Sequence, residues 1–254
     1  MISGRHVLLM LDFDGTLARL RPTSEQAFLP ARTKALLEKL AANPGITLAV
    51  ISGREIGNVR RKTDIPGIIY AGTHGLRIEG NGIKLAKTIP AKTLRVLRGF
   101  KRRLETAVAD IPGARVEDKS ISVLLHCRSN NAENLRRMDK IFRTLAHECG
   151  GRALHIKDGK KMLEALPSLD WNKGNAVLHI LHEVRRRKSA HSVTAIYAGD
   201  DITDEDAFGA LKNSGITVKI GGAAIPTAAL YRAKGINENR RMLSLLLGQL
   251  KSQK

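Results

Sequence analysis

The stretch "HVLLMLDFDGTLARL" (6–20) decides the fold. Its first half is an unbroken apolar run of strand length, the pattern of a strand buried on both faces of a parallel sheet. The run ends in two carboxylates, Asp12 and Asp14, followed at once by Gly15 and Thr16. Residues two apart on a strand point the same way, so both acids face one side at the strand's mouth. Two negative charges so placed repel, and a chain that keeps them needs something positive between them.

The pattern extends outward from this strand. "PARTKALLEKLAA" (30–42) has Leu36, Leu37 and Leu40 at helical spacing behind Pro30, and "ITLAVISG" (46–53) reads as a second buried strand. A short helix over 55–63 and a third strand, "IIYAGTHG" (68–75), follow. Strand, helix, strand, helix, strand implies right-handed crossovers and a parallel sheet. The alternation resumes late in the chain. A helix over 172–187 precedes a strand at 193–200, a short helix at 204–213, a strand at 215–222 and a leucine-rich final helix at 238–250.

The middle has another rhythm. A helix around 91–109 leads to period-2 runs in "ARVEDK" and "ISVLLHCR" (114–119 and 121–128). A helix over 131–149 then leads to "RALHIKDGKKMLEALP" (152–167), two short strands meeting at a hairpin signal, Asp-Gly. The expectation is an α/β protein: a discontinuous parallel-sheet core, residues 1–82 and 169–254, interrupted by an α+β cap at 83–168.

Composition narrows the class. Of 254 residues 43% are hydrophobic, enough for a sizeable core. Cys127 and Cys149 offer no disulfide framework, and no window approaches the roughly 18 apolar residues of a membrane span. A cytoplasmic protein is expected. The formal charge of +19 concentrates in "RGFKRR" (98–103) and "RRRK" (185–188), while aromatics are only 4% and nearly absent around them. Stacking platforms for single strands need aromatics, so solvated helix faces are favoured over a nucleic-acid site. The sequence is silent on oligomeric state.

Four polar features close core strands or open core helices: Asp12 and Asp14, Ser52-Gly53-Arg54, Lys173, and "GDDITDED" (199–206). Ligands of open α/β sheets bind at the carboxyl ends of the strands, so all four point to one crevice. Asp12, Asp200 and Asp201 would repel one another unless a cation intervened, and an all-oxygen set suits Mg²⁺ accompanying a phosphate. Ser52, the backbone of the following turn and Lys173 would cradle a phosphoryl group. A carboxylate facing its phosphorus is a competent nucleophile. Read locally, "GDDITDED" is equally an acidic helix start capped by Asp204.

"DFDGTL", Ser52, Lys173 and "GDD" resemble, in order, the four motifs of the haloacid dehalogenase (HAD) superfamily of phosphohydrolases. The resemblance implies a HAD-like core with a type C2 cap. It makes Asp12 the nucleophile and Asp14 the general acid and base. Ser52, Gly53 and Lys173 would bind phosphate, and Asp12, Asp14 (through its carbonyl), Asp200 and Asp201 would hold Mg²⁺. More narrowly, "ISGR", "AGTHG", "NKG" and "GDDITDEDAF" are similar to trehalose-6-phosphate phosphatases. "EDKSISVLLHCR" (117–128) and "GKKMLE" (159–164) resemble that family's cap signatures, which makes Arg54, Glu117, Lys119, Lys160 and Glu164 candidate sugar readers. His126 and Arg128 share the parity of their strand, and His74 follows strand three. Two departures stand out: Leu76-Arg77 where the family has an acid, and "EALP" (164–167) where Arg-Pro follows the glutamate. The implied reaction is Mg²⁺-dependent hydrolysis of trehalose 6-phosphate. The rivals are another sugar phosphate, such as glucosylglycerol or sucrose phosphate, or nucleic-acid binding on an inactive HAD fold.

Overall fold

The computed structural model describes residues 6–21, 24–119, 121–129, 131–159, 162–188, 193–222 and 226–251. They form two compact units, Met1–Lys87 with Trp171–Lys254, and Thr88–Asp170.

The larger unit is an eight-stranded sheet between helices. In chain order its elements are β1 (His6–Asp12), α1 (Ala31–Ala41), β2 (Ile46–Ile51), α2 (Ile56–Thr63), β3 (Ile69–Gly72), β4 (Arg77–Gly80) and β5 (Ile83–Ala86). Past the insertion come α5 (Lys173–Lys188), β10 (Val193–Gly199), α6 (Thr203–Leu211), β11 (Gly215–Ile220), β12 (Tyr231–Ala233) and α7 (Ile236–Lys251). The strand order is β12-β11-β10-β1-β2-β3-β4-β5, with β1 central and parallel to both neighbours.

Both faces of β1 are covered, which is why its sequence shows no polar alternation. Val7, Leu9 and Leu11 pack toward α1, α2 and α7, while Leu8 and Met10 pack toward α5 and α6. The register sets Asp12 opposite Ile51 and Leu11 opposite Ala198, so β1, β2 and β10 end at one level. That level holds the site.

The inserted unit contains α3 (Ala91–Ala107), β6 (Ala114–Asp118), β7 (Val123–Cys127), α4 (Ala132–Gly150), β8 (Leu154–Gly159) and β9 (Met162–Pro167). Its antiparallel sheet runs β6-β7-β9-β8. Both helices cover one face, where Leu97, Phe100, Leu104, Met138 and Phe142 meet Val123, Leu125 and Ala165. Phe100 and Phe142 make an edge-to-face pair at 5.1 Å.

The expected start of the insertion at residue 83 moves to 88. Ile83–Ala86 pairs antiparallel with β4 on the edge of the larger sheet, and Ile83 is buried in that sheet's core. The hairpin closes through Asn81 and Gly82, both left-handed (φ 47° and 72°), the two-residue turn whose twist suits a hairpin.

Phe142→Ala should lower the free energy of unfolding by about 3–5 kcal/mol, the usual result of emptying a large aromatic site. Chemical denaturation measures it. A midpoint equal to wild type would remove the Phe100–Phe142 contact from the inserted unit's core.

Candidate active site

β1 ends at Asp12, which is 4% exposed, and the chain turns sharply through Gly15 (φ 80°). A Cβ at Gly15 would lie 1.9 Å from Asp200 Oδ2, so only glycine lets the turn and the acid coexist. Thr16 Oγ1 donates to Asp200 Oδ1 at 3.2 Å, and the amide of Asn239 on α7 holds the Thr16 carbonyl at 3.0 Å.

The centre of the site is a buried chain of charge. Lys173, the first residue of α5, donates to Asp12 Oδ1 at 2.8 Å and to Asp204 Oδ1 at 2.7 Å. The Tyr197 hydroxyl donates to the same Asp204 oxygen at 2.6 Å, and the Asp201 N–H donates to Asp204 Oδ2 at 2.8 Å. Burial opposes the Lys173 ammonium, yet Asp12 and Asp204 hold its pKa well above the ordinary lysine value. Burial likewise works against the Asp204 carboxylate, but Lys173, Tyr197 and the Asp201 N–H draw it below the ordinary range.

Asp12 and Asp200 behave oppositely. Burial lifts the Asp12 acid well above its usual value; Lys173 offsets part of this while Asp204 and Asp200 add to it. Burial, with Asp204 and Asp201 nearby, raises Asp200 to about 8. Oxygens of Asp12, Asp200 and Asp204 lie within 4.8 Å of one another. Three carboxylates against one ammonium leave an excess of two negative charges if all are ionised, which a divalent cation would neutralise. The donors are all hard oxygens, the set that magnesium prefers. The residues therefore fit the ion. Both Asp204 oxygens already accept hydrogen bonds, so Asp12 and Asp200 are the side chains that would hold it.

The second strand end supplies Ser52, 1% exposed, whose Oγ accepts the Arg54 N–H at 3.1 Å. The loop after β3 locks this turn. Thr73 and His74 both take left-handed φ values (57° and 55°), and their N–H groups reach the carbonyls of Arg54 and Ser52. Gly53 lies against the His74 ring. Arg54 grips Asp14 with two 2.6 Å hydrogen bonds, Nε to Oδ2 and Nη2 to Oδ1, while its guanidinium sits over Phe13. The expected sugar reader is thus engaged in orienting the second acid.

Asp201 also departs from expectation. Its carboxylate is exposed and accepts the Ile202 N–H at 2.7 Å, as a local cap. The acid that joins Asp12 and Asp200 is Asp204, which local reading assigns to helix capping. Its spacing from Asp200, one helical turn further on, was the available signal. Nothing comparable marked Tyr197 beyond its place on the last core strand before the acids.

The other expected residues lie in the inserted unit. Glu117, Leu124, Glu164 and Lys157 stand in one row across β6, β7, β9 and β8, on the face away from α3 and α4. Glu117 Oε2 accepts from His126 at 2.7 Å and from Arg115 at 3.1 Å, and chiefly the His126 hydrogen bond holds its acid below the ordinary range. Glu164 is buried and accepts the Ser122 hydroxyl at 2.6 Å. Lys119 is exposed at the turn after β6, and Arg128 is exposed just past β7. Lys160 lies outside the described residues.

A family model described as trehalose-phosphatase matches residues 10–236. The chain belongs to the trehalose-phosphatase family. It is 35% identical over 212 residues to a trehalose-phosphate phosphatase of Mycobacterium avium, which covers 83% of this chain and 53% of that protein. A Mycobacterium tuberculosis relative of the same name is 32% identical over 217 residues, 85% of this chain and 54% of its own. The chain thus spans about half the length of the curated relatives it matches. Among solved structures, the C-terminal domain of a C. albicans trehalose-6-phosphate phosphatase superposes with a TM-score of 0.82 at 19% identity, covering 96% of this chain and 93% of that one. A trehalose-6-phosphate phosphatase related protein gives 0.74 at 26% identity, over 97% and 100%. With these, the α/β, HAD-like core is shown. Among the described residues no helix is long and apolar enough to cross a membrane.

Lys173→Met should cost about 3–5 kcal/mol of stability, because it strands Asp12 and Asp204 without their buried counter-charge. A urea titration of the purified variant reads this directly. An unchanged midpoint would mean that the ammonium does not anchor the site.

Proposed function

We propose that this chain is a phosphoric monoester hydrolase that converts trehalose 6-phosphate to trehalose and phosphate, with Mg²⁺ at the Asp12–Asp200 pair. The single observation that carries the reading is the buried Asp12–Lys173–Asp204 chain at the strand ends of a trehalose-phosphatase family member.

The residues divide the work by position. Asp12 ends the central strand and is the nucleophile: its carboxylate oxygen bonds to phosphorus as the bond to the sugar oxygen breaks. Lys173 holds that carboxylate in place and offers its positive charge to the phosphoryl oxygens. Ser52 offers a hydroxyl on the neighbouring strand end. Asp14, held as a carboxylate by the Arg54 fork in this structure, takes up a proton from solvent when that fork opens and gives it to the departing sugar oxygen. As a carboxylate it then takes a proton from water, whose oxygen attacks the aspartyl phosphate, releasing phosphate and restoring Asp12. A bound divalent cation supplies further charge neutralisation on the phosphoryl group.

Sugar selection falls to the polar row of the inserted unit. Glu117 and Glu164 are hard-hydrogen-bonding acids fixed by His126, Arg115 and Ser122. Readers held this way discriminate strongly, because a substrate lacking the matching hydroxyl leaves a desolvated acid unpartnered. Lys119 and Lys160 belong to the same proposal. The free thiols of Cys127 and Cys149 suit the reducing cytoplasm.

Asp12→Asn should abolish phosphate release from trehalose 6-phosphate, a loss of at least about a thousandfold, with the circular dichroism spectrum unchanged. Retained turnover would exclude Asp12 as nucleophile. Glu164→Ala should depress kcat/KM for trehalose 6-phosphate much more than for p-nitrophenyl phosphate. Equal losses on the two esters would take sugar reading away from Glu164, and preference for sucrose or glucosylglycerol phosphate in a substrate panel would replace the sugar.

A further inference from the structure

The core sheet has a second concave feature at its other end. Where β1, β2 and β3 begin, a cavity of about 430 Å³ is lined by residues that include His6, Asn43, Thr47, Asn81, Arg187 and Lys188. That volume falls in the range of small-molecule sites. The catalytic residues stand at the opposite, carboxyl ends of the same strands, so the cavity is no extension of their crevice.

Its chemistry is one-sided. Two permanent cations and an imidazole line it, with two side-chain amides and a hydroxyl, and no carboxylate lines it among the described residues. The nearby acid on α5, Glu183, is taken up by Arg186 and Arg187. Arg187 is immobilised: it donates to the carbonyl of Asn81, to that of Gly82 at 3.0 Å and to Glu183. This ties the end of α5 to the β4–β5 hairpin and makes the wall rigid. His6 is fixed too, with Nε2 2.8 Å from Thr47 Oγ1. Burial and the charge of Lys188 lower the His6 pKa, which agrees with a positive potential there. Four consecutive cations, Arg185 to Lys188, more than offset the negative carbonyl end of the helix.

We propose that this cavity binds a small phosphate-bearing anion, with Lys188 and His6 as its polar contacts and with the Asn81 amide and the Asn43 amide nitrogen, whose oxygen accepts the Gly45 N–H, facing hydroxyls on a sugar phosphate. The site is independent of the catalytic reading, since none of its residues takes part in the chemistry.

The test is site-resolved. Imidazole ¹H–¹⁵N signals of the full chain are followed while inorganic phosphate is added at constant ionic strength, the His6 signal being identified by its loss in His6→Gln. Glucose 6-phosphate and uncharged trehalose form parallel arms. The expected result is a saturable shift of His6 with both phosphates and none with trehalose. Lys188→Ala should weaken it at least about tenfold, the loss of one charged hydrogen bond. A His6 signal that stays fixed with phosphate, or that shifts equally in Lys188→Ala, would overturn the proposal. Tighter binding of glucose 6-phosphate than of inorganic phosphate would make a sugar phosphate the ligand, and equal binding would make it free phosphate.

Discussion

A single ammonium group organises the core. Lys173 lies 2% exposed at the first turn of α5, between Asp12 on β1 and Asp204 on α6. Local rules argue against it there: a positive charge at a helix N-terminus opposes the dipole, and burial removes its water. Apolar residues replacing the lysine and both acids together would satisfy stability as well or better, whereas removing the lysine alone strands two buried acids. The two carboxylates reverse the electrostatics, and their lasting consequence is geometric. One nitrogen pins the ends of three elements from distant parts of the chain within hydrogen-bond distance of each other. Violations of local preference of this kind concentrate at functional sites.

The rest of the site follows from how that balance remains incomplete. Asp204 is saturated by Lys173, Tyr197 and a backbone N–H, so it is structural ballast for the lysine. Asp12 and Asp200 carry the uncompensated charge, and both are pushed toward the protonated form by burial among acids. A site in this condition gains on binding a cation, because the ion removes a repulsion the fold has built in. Gly15 makes the crowding possible by giving up a side chain where Asp200 must stand. Asp14 is kept outside it, held by Arg54, so two acids separated by one residue occupy different electrostatic surroundings.

The sequence was most informative where burial was two-sided. Apolar runs without alternation marked β1, β2, β3, β10 and β11, and the period-2 runs marked β6 and β7, because each pattern follows from which faces are covered. Four-residue strands such as β4 and β5 escaped this reading. Their charged residues blur the period, and only the Asn81-Gly82 turn announces them. β12, three residues long, has too few positions for any period to show. In the site, the apolar pattern places Asp12 and Ser52 at strand ends, whereas the position of Asp204 beside Asp12 and Asp200 is not legible, because an acid at a helix start looks the same whether it caps, as its bond from the Asp201 N–H shows, or also meets other acids. Only tertiary contact separates the roles, and the same holds for the Arg54–Asp14 fork, whose partners lie 40 residues apart.

The two units present polar side chains in different ways for a physical reason. Parallel strands gather their carboxyl ends at one level and so converge side chains from distant sequence onto one point. An antiparallel sheet with helices on one face leaves its other face as a flat array whose residues alternate with the core. In the inserted unit Val123, Leu125 and Ala165 secure the helices, while the intervening positions carry Glu117, His126, Glu164 and Lys157. Substituting a member of that outer row leaves the helix-facing packing untouched. Leu124 is the exception: it sits between Glu117 and Glu164 at 1% exposure, on the strand that separates β6 from β9. The two carboxylates are therefore two strands apart, not directly opposite as like charges must be to weaken a sheet, and an apolar side chain fills the space between them. A single apolar position in a polar row thus keeps two hydrogen-bonding acids as separate contacts on one face.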